Sequence, residues 1–336
     1  MNIPTLPLHA DAPWLAPLAG YTDLPFRLLC RDEGAKVACT EMVSAKGLVY
    51  GRRGGKIDSN TLDLLSSNED DLPLVVQLFG AEAEFLSEAV HILRELGFIW
   101  FDLNMGCSVP KVTKTGAGSA MLKDVENALA VGRAMIEAAG QGRVGFKLRL
   151  GWAVGEEVYL ALAQELEQLG AGWVSLHPRY AKQAFGGKAD WSALRLLKEK
   201  LSIPVIASGD LFTATDAIRC LEETGVDTVM FARGAIASPA VFRFYHALRA
   251  GESFGHEYLA AQDLFSLINR HAALAKELTP GRPGKKGYTP ALLKMRTVVP
   301  RYVKHLPGAR ELRLRLVHCA SWEELEELLD DFFMAQ

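Results

Sequence analysis

Four apolar runs in the middle of the chain decide its fold: FIWFDLN (98–104), VGFKLRLGW (144–152), GWVSLHP (172–178) and IPVIASG (203–209). Each run is short and nearly free of charge, and segments with helical spacing separate them. Near-continuous apolar strands that alternate with helices are typical of a parallel sheet covered by helices on its faces.

Four more runs of the same kind extend this pattern in both directions: PWLAPLAG (13–20), KVACTEMV (36–43), PLVVQLFG (73–80) and VDTVMFARG (226–234). Eight strand–helix units in roughly 240 residues match the size of a (β/α)8 TIM barrel. We therefore predict an α/β fold with such a barrel at residues 1–250. The predicted helices between the strands are 81–96, 124–139, 156–169, 191–200 and 213–224.

A doubly wound open sheet is the alternative fold, but that fold does not require eight units. The string GAGSAM (116–121) is the nearest approach to a dinucleotide-binding glycine motif. It lacks the third glycine and follows a loop rather than a strand, so it does not favour the open sheet.

The pattern changes after about residue 250, where no strand signal follows. Helices are predicted at 258–278, 290–305, 312–318 and 322–333, with 279–290 as a connector. We expect a small all-helical C-terminal domain at 251–336.

The net charge of −3 conceals a strong asymmetry. Between Arg270 and Arg315 there are twelve Lys or Arg residues against two Asp or Glu, whereas the rest of the chain is acidic. Such a basic block is a candidate contact for a polyanion, and a solvated helix face is the alternative interpretation.

The five cysteines are scattered, odd in number and free of any CxxC pair. This usage argues against a disulfide framework and against a thiolate metal site, and it favours a reducing cytoplasm. No apolar run approaches the ~18 residues of a membrane span. The first residues, MNIPTLPLHADAPW, lack the pattern of a signal peptide.

Polar residues accumulate where the predicted strands end, which is where TIM barrels place their chemistry. A lone Gln or His at such a place is more often structural than functional. Lys147 and Arg149 are different, because they alternate along one apolar strand and must point to the same face. A buried lysine needs an electron-rich partner, which predicts a ligand in the barrel mouth. The glycine-bearing ends of strands seven and eight, with a short helix at 234–238, suit a phosphate.

Cys107 is the best candidate for chemistry. It lies in the turn-rich loop NMGCSVP (104–110), with Lys111 and Lys114 close behind it. Cationic neighbours activate a thiol. A free cysteine is usually a small buried hydrophobe, and Cys30, Cys39 and Cys220 fit that description.

The sequence resembles the tRNA-dihydrouridine synthases. The matching strings are APLAGYTDLPFR (16–27), VVQLFG (75–80), FDLNMGC (101–107), KVTKTGAGSAML (111–122), KLRLGW (147–152), LHPRY (176–180), SGD (208–210), ARGA (232–235) and KMRTVVPRYVKHLPGARELR (294–313). They follow the family's order over nearly the whole chain. In three places the family often has another residue: Asn for Ser208, Gly for Ala232 and Pro for Ser108.

The resemblance implies an FMN enzyme that takes hydride from NADPH and reduces uridines in tRNA to 5,6-dihydrouridine. Cys107 would be the general acid, and Asn104 and Arg179 would orient the uracil. Lys285, Lys286, Arg296 and Arg301 in the basic block would contact tRNA. The residues implied to bind FMN are Pro17, Leu18, Ala19, Gln77, Lys147 and His177, with Ser208, Gly209, Asp210, Ala232 and Arg233 at its phosphate.

Two other functions remain open from the residues alone. One is an FMN barrel oxidoreductase acting on a free pyrimidine, which would have no use for the basic block. The other is a barrel that binds RNA or phosphate without catalysis, which would carry no flavin.

Overall fold

The computed structural model describes residues 5–279 and 289–336. In these two ranges, nine strands form one sheet in which every pairing is parallel. The first strand pairs with the second and the last, and the second also pairs with the fourth, which closes a barrel. The strands are β1 (Trp14–Leu15), β2 (Val37–Cys39), β3 (Val43–Ser44), β4 (Leu74–Phe79), β5 (Trp100–Met105), β6 (Val144–Arg149), β7 (Trp173–His177), β8 (Val205–Ala207) and β9 (Thr228–Phe231).

The predicted (β/α)8 barrel is confirmed, with one correction to its second strand. The run 36–43 forms the two short strands β2 and β3, which both pair with β4. The interruption has a local cause, because the Thr40 hydroxyl accepts the hydrogen bond of the Gln77 backbone N–H at 3.1 Å. A side-chain hydrogen bond thus takes the place of a backbone hydrogen bond to β4 between β2 and β3.

Tryptophans fill the interior of the barrel. The rings of Trp14 and Trp100 lie 5.6 Å and 6.4 Å from that of Trp173, and all three are buried. Gly145 on β6 makes this possible, since a Cβ there would lie 1.9 Å from the Trp173 ring. The interior is therefore a packed core, and any binding site must lie at an end of the barrel.

Helices cover the outside of the sheet with their apolar faces. Six of them have side-chain N-caps, from Asp23, Ser44, Asp58, Asp124, Asp190 and Thr213. The five predicted helices are all present, with ends shifted by a few residues. The helices are α1 (Leu24–Asp32), α2 (Ala45–Arg53), α3 (Ser59–Leu65), α4 (Ala83–Glu95), α5 (Pro110–Thr113), α6 (Val125–Ala139), α7 (Tyr159–Leu169), α8 (Trp191–Lys200), α9 (Ala214–Thr224), α10 (Arg233–Ala237) and α11 (Val241–Arg249).

The C-terminal region is helical, as predicted: α12 (Ala261–Leu278), α13 (Pro290–Tyr302), α14 (Ala309–Leu316) and α15 (Trp322–Met334). Helix α12 packs on α1 of the barrel, and α13 packs on α10. The predicted helix 290–305 ends in a 3-10 turn, and α14 begins three residues before the predicted 312. The division into domains at residue 250 stays a prediction.

Buried polar groups lie where α12 and α13 meet the barrel. His271 of α12 is fully buried, packs beside Phe26 of α1, and exchanges a 3.1 Å hydrogen bond with the Tyr302 hydroxyl. Burial lowers the pKa of His271 to about 4. In the described part of the chain, no helix is long and apolar enough to cross a membrane.

Candidate active site

A cavity of about 490 Å³ opens at the carboxyl ends of the strands, and we call it the strand-end cavity. Small-molecule sites typically occupy roughly 300–1,000 Å³. Among the described residues, its lining carries four cations, Lys147, Arg149, Arg233 and Arg301, against the single acid Asp210. The predicted site residues that line it are Pro17, Leu18, Ala19, Asn104, Cys107, Lys147, His177, Ser208, Gly209, Asp210, Ala232, Arg233 and Arg301.

Cys107 lies on a loop whose backbone is held from two sides. Asn104 Oδ1 accepts the backbone N–H of Gly106 at 3.1 Å and that of Cys107 at 2.8 Å. The Ser119 N–H and hydroxyl both donate to the Cys107 carbonyl, at 2.9 Å and 3.0 Å. Gly118 is required behind the loop, because its φ is +62° and a Cβ would lie 2.6 Å from that carbonyl.

Among the five cysteines Cys107 alone is not buried. The lysines that follow it in sequence, Lys111 and Lys114, are exposed to solvent and do not line the strand-end cavity. The cation that reaches the loop is instead Arg149, which donates to the Gly106 carbonyl at 2.8 Å.

Gln77 lies outside the lining of the cavity and is fully buried. Its Nε2 donates to Asp102 Oδ2 at 2.7 Å, and its Oε1 accepts from Asn104 Nδ2 at 2.8 Å. The implied contact of Gln77 with a flavin ring stays a prediction, since in this structure its polar atoms are engaged with neighbouring strands.

Lys147 and Arg149 both line the cavity, as their alternation along β6 predicted. Burial lowers the pKa of Lys147 to about 8, although the negative charge of Asp102 opposes this shift. Arg149 also donates to the carbonyls of Tyr180 and Ala184, at 2.9 Å and 2.8 Å. Arg149 therefore ties the loop after β5 to the loop after β7, and Lys147 is the cation that remains available to meet a ligand.

His177 lines the cavity as a neutral imidazole. Burial, followed by the charges of Lys147, Arg149, Arg179 and Arg233, lowers its pKa to about 2. Its Nε2 lies 3.1 Å from Arg179 Nη1, and arginine can only donate. The ring proton of His177 is therefore on Nδ1.

Arg179 does not line the strand-end cavity. Its side chain is 2% exposed and is held by Asp210 Oδ2 at 2.7 Å and by the Gly187 carbonyl at 2.7 Å. The implied contact with uracil stays a prediction. In this structure Arg179 positions His177 and Asp210.

The loop after β8 is shaped by close contacts. Gly209 has a φ of +107°, and a Cβ there would lie 2.6 Å from the His177 ring. Asp210 accepts the backbone N–H of Ala189 at 2.8 Å and pairs with Arg233 at 3.0 Å. The turn thus leaves little freedom at Gly209.

The comparisons with known proteins identify the family. A family model described as dihydrouridine synthase matches residues 14–336. The chain belongs to the dihydrouridine synthase family.

Individual relatives agree with this assignment. The chain is 34% identical over 332 residues to a Synechocystis protein named "Probable tRNA-dihydrouridine synthase 1", covering 98% of this chain and 88% of that one. It is 34% identical over 300 residues to tRNA-dihydrouridine synthase B of Pseudomonas aeruginosa, covering 89% and 86%. An old yellow enzyme homologue from Zymomonas mobilis shares the fold, with a TM-score of 0.52, 12% identity and coverage of 75% and 94%.

The basic block of this family member forms a second cavity of about 760 Å³ beside the first, and we call it the basic groove. It lies between α10 and the helices α13 and α14, and it shares Arg233, Ile236 and Arg301 with the strand-end cavity. Its cations are Arg233, Arg296, Arg301, Lys304 and Arg313, and no acid of the described ranges lines it. Lys285 and Lys286 lie outside the described residues.

The loop after β1 connects the two cavities. Arg301 donates to the Tyr21 hydroxyl at 2.8 Å, and Lys294 donates to the Gly20 carbonyl at 2.6 Å and pairs with Asp23 at 3.1 Å. Both cations also lie over the Tyr21 ring, at 5.4 Å and 5.6 Å. Tyr21 therefore presents one face to α13 while it lines the strand-end cavity.

Sequence reasoning missed several residues of the site. Tyr21, Met42, Phe185 and Phe212 line the cavity, and Arg233 lies between the two phenylalanine rings at 4.6 Å and 4.7 Å. Nothing in the spacing of these residues in the sequence distinguishes them from hydrophobic residues of the core. Ser119 carried a usable signal, since it follows the glycines of the string GAGSAM downstream of Cys107.

Proposed function

We propose that this chain uses FMN and NADPH to reduce specific uridines in tRNA to 5,6-dihydrouridine. One observation carries the proposal: Cys107, on a fixed loop, lines a cationic cavity that adjoins the basic groove in a member of the dihydrouridine synthase family.

The lining suits FMN in charge, and the cavity volume of about 490 Å³ lies within the range of small-molecule sites. Four cations against one acid favour a phosphate and an electron-rich ring over a cationic or apolar ligand. Ser208, Gly209, Asp210, Ala232 and Arg233 would hold the phosphate, with the Ser208 hydroxyl and backbone N–H groups as donors. Pro17, Leu18 and Ala19 would lie along the ring, with Lys147 and His177 at its polar edge and Gln77 beneath. When bound, FMN would supply the hydride, from N5 to C6 of uracil, and NADPH would be its source.

The side chains would act as follows. Lys147, whose pKa is about 8, carries a proton at neutral pH and would stabilise negative charge at the ring edge. His177 is neutral and would donate through Nδ1. Cys107 Sγ would hold the proton that C5 of uracil receives, while Asn104 and Arg179 would orient the base.

The substrate base must leave its stack to reach the strand-end cavity. The phosphates around it would then lie over the basic groove, where Arg296 and Arg301 would contact them. Lys285 and Lys286, outside the described residues, would also contact tRNA. We therefore propose that the C-terminal helices, from residue 251, are the tRNA-binding domain.

Two measurements test the proposal. Cofactor released from the purified protein by heat should comigrate with FMN, and FAD or no flavin would contradict the cofactor assignment. Mass spectrometry of tRNA from a strain that lacks this protein should then show uridine where the parent strain has dihydrouridine. Unchanged tRNA together with turnover of free uracil or orotate would favour an enzyme of free pyrimidines.

A further inference from the structure

A chain of side-chain hydrogen bonds runs beneath the strand-end cavity and ends at the Cys107 loop. Asp102 Oδ2 accepts from Gln77 Nε2 at 2.7 Å, and Gln77 Oε1 accepts from Asn104 Nδ2 at 2.8 Å. Asn104 Oδ1 in turn accepts from the backbone N–H of Cys107 at 2.8 Å. Asp102 and Gln77 are at most 1% exposed and Asn104 is 7% exposed.

The donor and acceptor roles along this series of hydrogen bonds are set by the groups at its two ends. The backbone N–H groups of Gly106 and Cys107 can only donate, so Asn104 must turn its oxygen toward them and its nitrogen toward Gln77. Gln77 must then present its oxygen to Asn104 and its nitrogen to residue 102. Only a group that accepts can complete the chain there, and an ionised carboxylate is acceptor-only.

The position of Asp102 is costly for a merely structural residue. Its second oxygen, Oδ1, is buried and makes no hydrogen bond of normal length and angle to any described residue. The charges that face the carboxyl are those of Lys147 on β6 and, when ionised, Cys39 on β2, and the Trp173 indole of β7 lies close by. Burial raises the pKa of the Asp102 carboxyl to about 6, and Lys147, the one cation among these groups, opposes that shift and favours the ionised, acceptor-only form.

We propose that Asp102 is a positioning residue, whose carboxylate sets the direction of the Gln77 and Asn104 amides and thereby holds the Cys107 loop in the geometry needed for proton transfer. This inference rests on the proposed role of Cys107 as the acid. Asp102 itself does not line the strand-end cavity.

The test exchanges the amide and the carboxylate of the hydrogen bond between Gln77 and Asp102. Asp102→Asn gives residue 102 an amide nitrogen, which cannot accept the hydrogen bond from Gln77 Nε2. Gln77→Glu brings two carboxylates next to each other with no hydrogen between them when both are ionised. The double variant Asp102→Asn/Gln77→Glu restores the pattern, since Asn at 102 donates to Glu at 77, which still accepts from Asn104. Ser175→Ala is the control, because it removes from the neighbouring strand β7 a buried hydroxyl that has no hydrogen-bond partner among the described residues.

Two readouts are followed in the purified protein with its cofactor. In each single variant, the reduction of tRNA uridine by prereduced enzyme should slow ~10-fold or more, because small misplacements of reacting groups can cost up to ~10²-fold. Alkylation of Cys107 by iodoacetamide should become about fivefold faster, as expected for the loss of one hydrogen bond that holds the loop. The double variant should return both rates toward the wild-type values, and Ser175→Ala should change neither.

The outcomes separate this inference from the proposed function. Single variants with wild-type alkylation rates, or a double variant no better than the worse single variant, would overturn the positioning role. A wild-type protein that lacks flavin or leaves tRNA unreduced would refute the proposed function. Alkylation of Cys107 would still decide whether Asp102 holds the Cys107 loop in that case, because it requires neither flavin nor tRNA.

Discussion

The strand-end cavity and the basic groove adjoin each other but are built in opposite ways. In the cavity, Arg149 donates to three backbone carbonyls, and Asn104 bonds to its own loop and to Gln77. In the groove, Arg301 and Lys304 are exposed on α13 and on the turn that follows it. The cavity side chains are each held by several hydrogen bonds, whereas these two groove cations are more exposed, although Arg301 is bonded to the Tyr21 hydroxyl.

This difference matches what the two proposed tasks require. Proton transfer depends on the position of reacting atoms to a fraction of an ångström, so its residues must be held by their neighbours. Binding to nucleic-acid phosphates depends on the number of cations within reach, and long flexible side chains satisfy it in many geometries. Substitutions in the cavity should therefore change rates, and substitutions in the groove should change affinity.

The largest effect is expected from Cys107→Ala. Turnover of tRNA should fall by ~10²-fold or more, the usual weight of general-acid catalysis. NADPH should still reduce the flavin, because that half-reaction does not use the thiol. Stopped-flow measurement of the two half-reactions checks this, with Cys220→Ala, which is buried in α9, as the control that keeps both rates. Uridine reduction at wild-type speed would show that the proton comes from another group.

The second effect concerns the pH dependence of protein stability that arises from His271, where α12 and α13 pack against the barrel. His271 is neutral in the folded protein because burial lowers its pKa to about 4, whereas the unfolded chain would titrate near its usual value of 6.5. The unfolded state therefore binds more protons between these values, so stability is full above pH 6.5 and is lost as the pH falls toward 4. The total loss is up to about 3 kcal/mol for a shift of this size.

Urea unfolding near pH 7 and near pH 5 measures this loss. His271→Gln, which does not titrate and can still bond to Tyr302, should show a flatter dependence than the wild type over this range. Equal slopes for the two proteins would show that acid destabilisation arises elsewhere.

The third effect tests the basic block, of which Arg301 also lines the strand-end cavity. Reversal of Lys285, Lys286, Arg296 and Arg301 to Glu should weaken tRNA binding and make its log–log salt dependence shallower, by up to ~0.9 for each phosphate that the variant no longer neutralises. The flavin spectrum and NADPH oxidation should be retained. The matched control reverses four exposed cations outside both cavities: Lys36, Lys56, Arg133 and Lys200. Equal affinity and slope in the two quadruple variants would indicate that the basic block is only a solvated face.

Much of the barrel could be predicted from the sequence, because the periodicity of the apolar residues indicates the strands and helices and the polar residues mark where the strands end. The alternation of Lys147 and Arg149 in an apolar strand predicted that both face the same cavity, and each of the eight predicted runs contains a strand. The split between β2 and β3 was missed, because the Thr40 hydroxyl takes over a ladder bond, which no alternation pattern encodes.

The site was predicted less well than the fold, since several of its residues act through contacts between distant segments. Gln77 and Arg179 lie outside the cavity lining because partners on other strands and loops, Asp102 and Asp210, hold them there. Ser119 reaches the Cys107 carbonyl across twelve positions of sequence. Such partners follow from the register of the sheet and from loop conformation, which a single sequence does not display.

The smallest effect is expected where the two cavities meet, at Tyr21. Tyr21→Phe removes only the hydroxyl that accepts from Arg301 and leaves the ring under the two cations. Because this hydrogen bond is exposed, its loss should change the apparent affinity for tRNA by less than about fivefold, in line with exposed pairs worth roughly 0–1 kcal/mol.

Tyr21→Ala also removes the ring, which lines the strand-end cavity, and should slow the reduction of bound tRNA in addition to weakening binding. Single-turnover rates at saturating tRNA, measured for both variants, distinguish the contributions of the hydroxyl and the ring. A slow single turnover in Tyr21→Phe would mean that Arg301 acts on the chemistry through this hydroxyl. The groove would then be part of the fixed geometry of the cavity, and the contrast between the two surfaces would fail at the residue that joins them.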